Sequence, residues 1–293
     1  MSRRTPVTVR RPEFAGIALT VFATAMFGLM DGLSKMLVLT LPVPLVVWLR
    51  HLLAVPVVFL LFRGMLGHWP ALRSGRPGLQ LLRAALLVIQ IGIAFVAFRT
   101  LPIGEVQTIF ATTPLLVLAV SARLLGEPAG LWRVVAVVVG FAGLLVMLRP
   151  GVAVLRPGAL VACVGILVYA AYQLTTRMAG RIDPPETSFA IQALLSAALT
   201  TLVGPWFWRP PEPEAWLLLL AVALIGSLGH YALVRALALA PAPVVQPFLY
   251  FHIVFATLFG FVFFGEVPDR WALLGGLLIV GAGLLASWRE ARR

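Results

Sequence analysis

Three charged residues lie inside long apolar runs of the chain. Asp31 and Lys35 occur in FGLMDGLSKMLVL (27–39), and Arg50 occurs in VVWLRHLLA (46–54). Burying an ionisable group in a membrane helix costs roughly 2.5–3.5 kcal/mol on insertion scales, so such residues are functional candidates by default. Asp31 could bind a proton or a substrate ammonium, and Arg50 could contact a substrate carboxylate. All three are candidates for charge or proton coupling.

Each of these charges also has a structural interpretation. A pair between Asp31 and Lys35, which lie four residues apart, or between Asp31 and Arg50, would neutralise the buried charge. An arginine in such a position more often bonds helix-end carbonyls or extends towards the interface. The sequence leaves the two interpretations open.

Polar and aromatic side chains recur at helical spacing in other apolar runs. Tyr169, Tyr172 and Gln173 share one face, and Gln246 and Tyr250 lie one turn apart. Such residues suit a ligand with an apolar or aromatic body and a small polar head, although polar side chains also bond neighbouring membrane helices to each other. The predicted cavity residues are Met30, Asp31, Gln107, Tyr169, Tyr172, Gln173, His230, Gln246 and Tyr250.

The elements that would position these residues are membrane helices. Of the 293 residues, 61% are hydrophobic and 12% are charged, whereas an ordinary soluble domain has roughly 25% charged residues. Period-2 alternation is missing, so the apolar runs predict helices rather than barrel strands. We predict an all-α integral membrane protein with ten transmembrane helices, near 14–39, 44–62, 79–98, 104–122, 131–149, 157–178, 188–207, 214–236, 242–264 and 270–288.

The formal net charge of +12 reports orientation rather than nucleic-acid binding. If the N-terminus is cytoplasmic, arginines concentrate in the loops and tails on that side. We therefore expect a multi-pass protein of the bacterial inner membrane, with the tails 1–13 and 289–293 in the cytoplasm.

A helix-breaking phrase occurs twice, as LGEPAGLW (125–132) and FGEVPDRW (264–271). The phrase AGLL also occurs twice, beginning at 142 and at 282. These repeats divide the chain into five-helix units at 14–149 and 157–288, and an odd number of helices makes the second unit inverted relative to the first. Inverted repeats are typical of secondary transporters. Glu127 and Glu266 are interpreted as solvated residues at helix ends.

The segment AFRTLPIGEVQTIFATTPLLVLAVSARLLGEPAGLWRVVAVVVGFAGLLV (97–146) and its second copy resemble the EamA-like domain of the drug/metabolite transporter superfamily. The resemblance covers nearly the whole chain, and within the family the chain looks most similar to exporters of amino acids and related metabolites, including YddG-type exporters of aromatic amino acids. It implies a central cavity lined by the first, third, fourth, sixth, eighth and ninth helices. Ile253 replaces the counterpart of Pro114, which predicts a straighter ninth helix than the fourth.

Several other functions are excluded or disfavoured. Lys35 is the only lysine and is followed by Met36, so a Walker A loop is excluded. The lone Cys163 allows no disulfide framework. We expect no enzyme activity, cofactor, metal or nucleic-acid partner, and the partners would be membrane lipid and a small molecule, in a monomer or homodimer.

The sequence therefore predicts a secondary transporter that works by alternating access. It would export amino acids, aromatic or large neutral ones in particular, or similar small amphipathic metabolites. The alternatives are an exporter of drugs or other metabolites with the same fold, and a membrane-embedded enzyme that modifies lipids.

Overall fold

The computed structural model describes residues 11–69, 71–124, 131–148, 157–240 and 242–290, and every regular element within these ranges is helical. Two short 3₁₀ segments occur at Gly204–Phe207 and Gln246–Tyr250. The α-helices are α1 (Arg11–Thr40), α2 (Val43–Leu66), α3 (Pro77–Phe98), α4 (Ile103–Phe110), α5 (Thr113–Leu124), α6 (Leu131–Leu148), α7 (Pro157–Ala179), α8 (Pro185–Thr201), α9 (Pro213–Leu239), α10 (Ala242–Val245), α11 (Phe251–Phe264) and α12 (Arg270–Glu290).

Proline and glycine set many of the helix boundaries. Helices α2, α3, α8 and α9 have proline in their first turn, where the missing N–H would have no intrahelical partner. Gly67 and Gly265 follow α2 and α11 with φ of 74° and 67°, in the left-handed region that favours glycine.

Among the residues that the structure describes, six helices are long and apolar enough to cross a membrane, judged by length and composition. Three shorter apolar helices accompany them, at Ile103–Val117, Val134–Leu148 and Arg270–Leu285. Each of the ten apolar runs in the sequence coincides with helical structure, the fourth with α4 and α5 together. The protein is a multi-pass, all-helical membrane protein.

The fourth and ninth runs are both interrupted. A turn at Ala111 and Thr112, just before Pro114, separates α4 from α5. In the ninth run, a 3₁₀ segment that contains Pro247 separates α10 from α11. At Ile253 itself the helix is regular, and the interruption lies six residues upstream at Pro247, which lacks a backbone donor.

The largest helix interfaces in the two halves of the chain correspond to each other. Helix α1 packs against α9 and α11, while α7 packs against α3 and α4. Helix α2 packs against α9, while α8 packs against α3. The remaining large interfaces, α2 with α8 and α6 with α12, each join counterparts. The largest contacts made by helices of the first half therefore have equivalents made by their counterparts.

Helices α6 and α12 approach each other at paired glycines. A Cβ added to Gly275 would lie 2.6 Å from the carbonyl oxygen of Gly143 and 2.7 Å from the Cβ of Met147. A Cβ added to Gly143 would lie 2.8 Å from the carbonyl oxygen of Gly275. Small residues let membrane helices pack backbone to backbone, and here they hold the two helices together.

Gly275→Ala should therefore destabilise the protein. The added methyl group meets backbone atoms of α6, and overpacking of this kind costs about 1–3 kcal/mol. Thermal unfolding in detergent should show a lower midpoint for this variant. Gly281→Ala, in the same helix, is the matched control, because a Cβ there has nothing within 4 Å. Equal midpoints for the two variants would contradict the close approach.

Candidate functional site

The carboxylate of Asp31 in α1 lies where three helices meet. Its Oδ2 accepts a hydrogen bond from Gln107 Nε2 of α4 at 2.8 Å and lies 2.8 Å from His252 Nε2 of α11. The Asp31 residue is 4% exposed. A buried carboxylate needs such donors, and here one comes from each half of the chain.

Glycines bring these three helices together. A Cβ at Gly28, one turn before Asp31, would lie 2.8 Å from the carbonyl carbon of Phe255. A Cβ at Gly104, one turn before Gln107, would lie 2.3 Å from the hydroxyl oxygen of Thr257. Helix α11 therefore contacts α1 and α4 without intervening side chains, and this close packing places Asp31, Gln107 and His252 within hydrogen-bonding distance.

An aromatic surface on α7 lies near this carboxylate. The rings of Tyr169 and Tyr172 are stacked, with centroids 6.0 Å apart and planes at 11°. Phe110 meets Tyr169 edge-on at 6.1 Å. Tyr169 also hydrogen-bonds with Gln173 and is close enough to Asp31 to be affected by its charge. Tyr169, Gln173 and Tyr172, three of the predicted cavity residues, thus form one surface beside Asp31.

His230 joins the same region through Phe27. The Phe27 ring lies 4.7 Å from the ring of His230 and 5.8 Å from that of His252. His230 Nδ1 is 2.8 Å from the carbonyl oxygen of Gly226, which holds the ring in place. Within the described part of the chain, no three His, Cys, Asp or Glu side chains come together as a metal site.

Arg50 and Met30 are neighbours, but Arg50 does not pair with Asp31 by a direct contact. The Nη2 atom of Arg50 donates to Met30 Sδ at 3.5 Å, and the guanidinium lies 5.5 Å from the centre of the Phe95 ring. The predicted pairs of Asp31 with Arg50 or with Lys35 are therefore wrong. Gln107 and His252 satisfy the carboxylate instead.

Lys35 pairs with Glu266, a residue interpreted from the sequence as a solvated helix end. Lys35 Nζ contacts Glu266 Oε1 and also donates to the carbonyl oxygen of Leu101 at 2.7 Å. Glu266 Oε2 accepts from the backbone N–H of Ile103 at 2.8 Å. The Glu266 side chain is only 14% exposed, so the interpretation of a solvated residue is wrong. Its repeat counterpart, Glu127, lies outside the described residues.

Tyr250, a predicted cavity residue on the ninth run, does not join the Asp31 cluster by any contact described. The hydroxyl of Tyr250 packs against α12, where a Cβ added to Gly283 would lie 1.6 Å from it. The side chain of Gln246 lies outside the described residues. Tyr172 faces α8 as well as Tyr169, because Gln192 Nε2 donates to its hydroxyl oxygen at 3.1 Å.

Sequence reasoning missed His252 and Glu266. The sequence shows no partner for His252, because no spacing links it to Asp31, which is 221 positions away. The available signal was the presence of an ionisable side chain within an apolar run, which is a functional hypothesis by default. The Glu266 contact had no sequence signal, because the end of α1 is far away in the chain.

A third polar cluster, besides the Asp31 cluster and the Lys35–Glu266 pair, centres on Asp183, in the loop between α7 and α8. Its carboxylate accepts hydrogen bonds from Ser74 Oγ, from the Gly75 N–H at 2.9 Å and from Gln80 Nε2 at 2.7 Å. Arg83 extends the cluster by donating to Ser188 O at 2.6 Å and to Ser188 Oγ at 2.8 Å.

The Asp183 cluster and the Lys35–Glu266 pair lie at opposite ends of α3. Gln80 and Arg83 are in its first turns, whereas Leu101, which accepts from Lys35, follows its last turn. A helix of 22 residues is about 33 Å long. The clusters are thus separated by roughly the thickness of a bilayer core, and each one joins residues before 149 to residues after 157.

The hydrogen bonds to Asp183 change its titration. Burial alone would raise the pKa of this carboxyl group, but the bonds from Ser74, Gln80 and the Gly75 N–H, with the nearby Arg83 charge, outweigh burial and lower its pKa. The charged form therefore stabilises the folded state.

Comparison with known sequences gives the family. The sequence profile of the EamA-like transporter family matches residues 14–149 and 156–288. The chain belongs to this family. Membership and the names of its relatives indicate transport rather than catalysis.

Several curated relatives of this EamA-like transporter are named for the molecules they move. A riboflavin transporter of Vibrio cholerae serotype O1 is 30% identical over 258 residues, 86% of each chain. The pseudopaline exporter CntI of Pseudomonas aeruginosa is 29% identical, over 93% of this chain and 96% of that protein. An S-adenosylmethionine uptake transporter of Rickettsia prowazekii is 24% identical over 76% of each.

The chain also resembles a solved crystal structure. The TM-score is 0.66 and the sequence identity 23%, with 98% of this chain and 100% of that chain covered. This likeness shows a shared fold.

Removal of either partner of the Lys35–Glu266 pair should destabilise the protein. Lys35→Met or Glu266→Gln should each cost about 3 kcal/mol, the lower end of the range for buried pairs, because both side chains keep some exposure. The double variant should lose less than the sum, since it leaves no unpaired charge. Thermal unfolding of the four proteins measures the coupling, with exposed Glu214→Gln as the control. Strictly additive losses would show that the pair is not coupled.

The Asp183 cluster predicts a pH-dependent stability. Because the folded-state pKa is below the ordinary value of about 3.9, Asp183 stabilises the protein above about pH 4, and this contribution is lost as the pH falls through the folded-state pKa. Asp183→Asn should therefore lower the unfolding midpoint at pH 7. The difference in unfolding midpoint between variant and wild type should become smaller below pH 4. A difference that does not depend on pH would contradict the role given to Asp183.

Proposed function

We propose that this chain is a secondary transporter that exports small amphipathic metabolites across the bacterial inner membrane. Its substrates would have an aromatic or large apolar body and a polar head, with aromatic and large neutral amino acids as the leading candidates. Transport would occur by alternating access between two inverted five-helix repeats, at 14–149 and 157–288.

The observation that carries this proposal is the position of Asp31. Its carboxylate is held between a donor from the first half, Gln107, and one from the second half, His252. Inverted-repeat transporters bind substrate near the midplane at the interface of their repeats. Tyr169 and Tyr172 beside it offer contact area for a ring. Asp31 would bind the polar head or exchange it for a proton.

Two features support the inverted repeats and the alternating access. The family profile matches twice, and the largest helix interfaces correspond between the halves. The polar clusters at Glu266 and at Asp183 join the halves at opposite ends of α3. Rocking of one half against the other would open one cluster while the other stays closed.

The names of the relatives support transport of small metabolites without singling out amino acids. Riboflavin and S-adenosylmethionine both combine a planar heteroaromatic ring with hydrogen-bonding groups. A ring-bearing metabolite of this kind is therefore the second candidate substrate, favoured by 30% identity to a riboflavin transporter. The relatives include an exporter and an uptake transporter, so export and the cytoplasmic termini rest on the resemblance and on the arginine distribution.

Reconstitution tests the proposal directly. The purified protein is reconstituted into liposomes that are loaded with a mixture of amino acids, riboflavin and S-adenosylmethionine. Mass spectrometry then follows which compounds leave the liposomes, with and without a pH gradient. We expect selective loss of aromatic or large neutral amino acids. Loss of riboflavin alone would favour the second candidate, and turnover of the liposome lipids would favour a lipid-modifying enzyme.

Variants of Asp31 and Tyr172 connect the result to the site. Asp31→Asn keeps the shape and the amide can still bond Gln107, but it removes the charge, so the rate and its dependence on pH should both fall. Tyr172→Leu should lower the rate for aromatic substrates. Trp206→Leu, at an 86% exposed residue, is the control. Unchanged transport by Asp31→Asn, with unchanged pH dependence, would remove Asp31 from the mechanism.

A further inference from the structure

Arg50 is a cation within the bundle that lacks an anionic partner among the described residues. A guanidinium has five N–H donors. The structure gives Arg50 one weak acceptor, Met30 Sδ at 3.5 Å, and the face of the Phe95 ring at 5.5 Å. Two acids within the bundle have other partners: Asp31 bonds Gln107 and His252, and Glu266 bonds Lys35.

The surroundings of Arg50 exclude two ordinary explanations for a membrane arginine. It is the eighth residue of α2, about 10 Å from the start of that helix at 1.5 Å per residue, so it does not cap the helix end. Its side chain does not extend towards the lipid, because its neighbours Met30, Phe95 and Gly226 belong to α1, α3 and α9. The guanidinium therefore points into the bundle.

Arg50 contacts the side chain of Met30, the residue that precedes Asp31 in α1. The Asp31 charge acts on Arg50 although the two do not touch. Asp31 is nine residues before the end of α1, about 14 Å along the helix, so both charges lie at a similar depth below the same end of the bundle. The structure thus presents one carboxylate and one guanidinium, close together but separately placed.

We propose that Arg50 binds the carboxylate of the substrate while Asp31 binds its ammonium group. This inference rests on the proposed transport function and narrows its substrate class to zwitterions with an α-amino-acid head. Arginine suits this role because its planar fork matches the two oxygens of a carboxylate. The weak Met30 contact is lost on binding, and the aromatic body of the substrate lies against Tyr169 and Tyr172.

The test is a series of substrate analogues that differ only in the head group. L-Phenylalanine has both charges, phenethylamine lacks the carboxylate, phenylalaninamide replaces it with a neutral amide, and 3-phenylpropionate lacks the ammonium. Two readouts are measured for each compound: flux from proteoliposomes, and the ligand concentration that gives half of the maximal rise in unfolding temperature. The proteins are wild type, Arg50→Gln, Arg50→Lys, Asp31→Asn and Arg209→Gln, an exposed arginine that serves as the control.

We expect wild type to bind L-phenylalanine about ten- to hundredfold more tightly than phenethylamine or phenylalaninamide, the range for one charge-assisted contact. Arg50→Gln should abolish that preference without weakening phenethylamine binding, and Arg50→Lys should keep part of it. Asp31→Asn should weaken phenethylamine and spare 3-phenylpropionate. This pattern separates a binding role from a structural one, since a variant that merely misfolds loses all ligands alike.

Other results overturn the inference, and they are distinguishable from failure of the transport proposal. If the wild-type protein transports riboflavin or phenethylamine as readily as L-phenylalanine, the transport function stands but the role of Arg50 is disproved. Equal weakening of all analogues by Arg50→Gln also overturns it. The expected binding pattern without any flux would keep the Arg50 assignment and disprove the transport proposal.

Discussion

A carboxylate buried among membrane helices must be surrounded by donors, and the centre of this protein is arranged around that requirement. Asp31 is 4% exposed and is satisfied by side chains of α4 and α11. Removing water from an ionised group costs several kcal/mol unless it is paired or hydrogen-bonded. The close approach of these helices at Gly28 and Gly104 therefore serves one purpose, which is to bring donors from both halves of the chain to one acid.

The same requirement acts at the two ends of the bundle. Lys35 finds Glu266 across the two halves, and Asp183 finds Ser74, Gly75 and Gln80. Three polar clusters at three depths thus link the halves. Polar contacts are directional and can be exchanged for water or for a ligand, whereas packed apolar surfaces only slide or separate. This arrangement suits a protein in which the halves move relative to each other.

Arg50 differs from the other charges because no carboxylate of the described chain satisfies it. The charges of Lys35, Glu266 and Asp183 can be explained as structure, since each has the partner that burial demands. An unpaired guanidinium among apolar neighbours is costly to keep, and a ligand that supplies the missing anion would recover that cost. The absence of an anionic partner thus distinguishes Arg50 from the ion pair of Lys35 with Glu266.

The sequence by itself determined the membrane class, the helices and the candidate polar residues, because apolar runs, prolines and glycines act locally and a buried charge is visible in any sequence. It also indicated Asp31, Tyr169 and Tyr172 as residues of a predicted cavity. Only the tertiary structure decided the partners. The sequence suggested an ion pair of Asp31 with Lys35 or Arg50 and a solvated Glu266. In the structure, Asp31 bonds Gln107 and His252, and Lys35 bonds Glu266. Such pairs join residues up to 231 positions apart, and their identity depends on helix packing that no local pattern encodes.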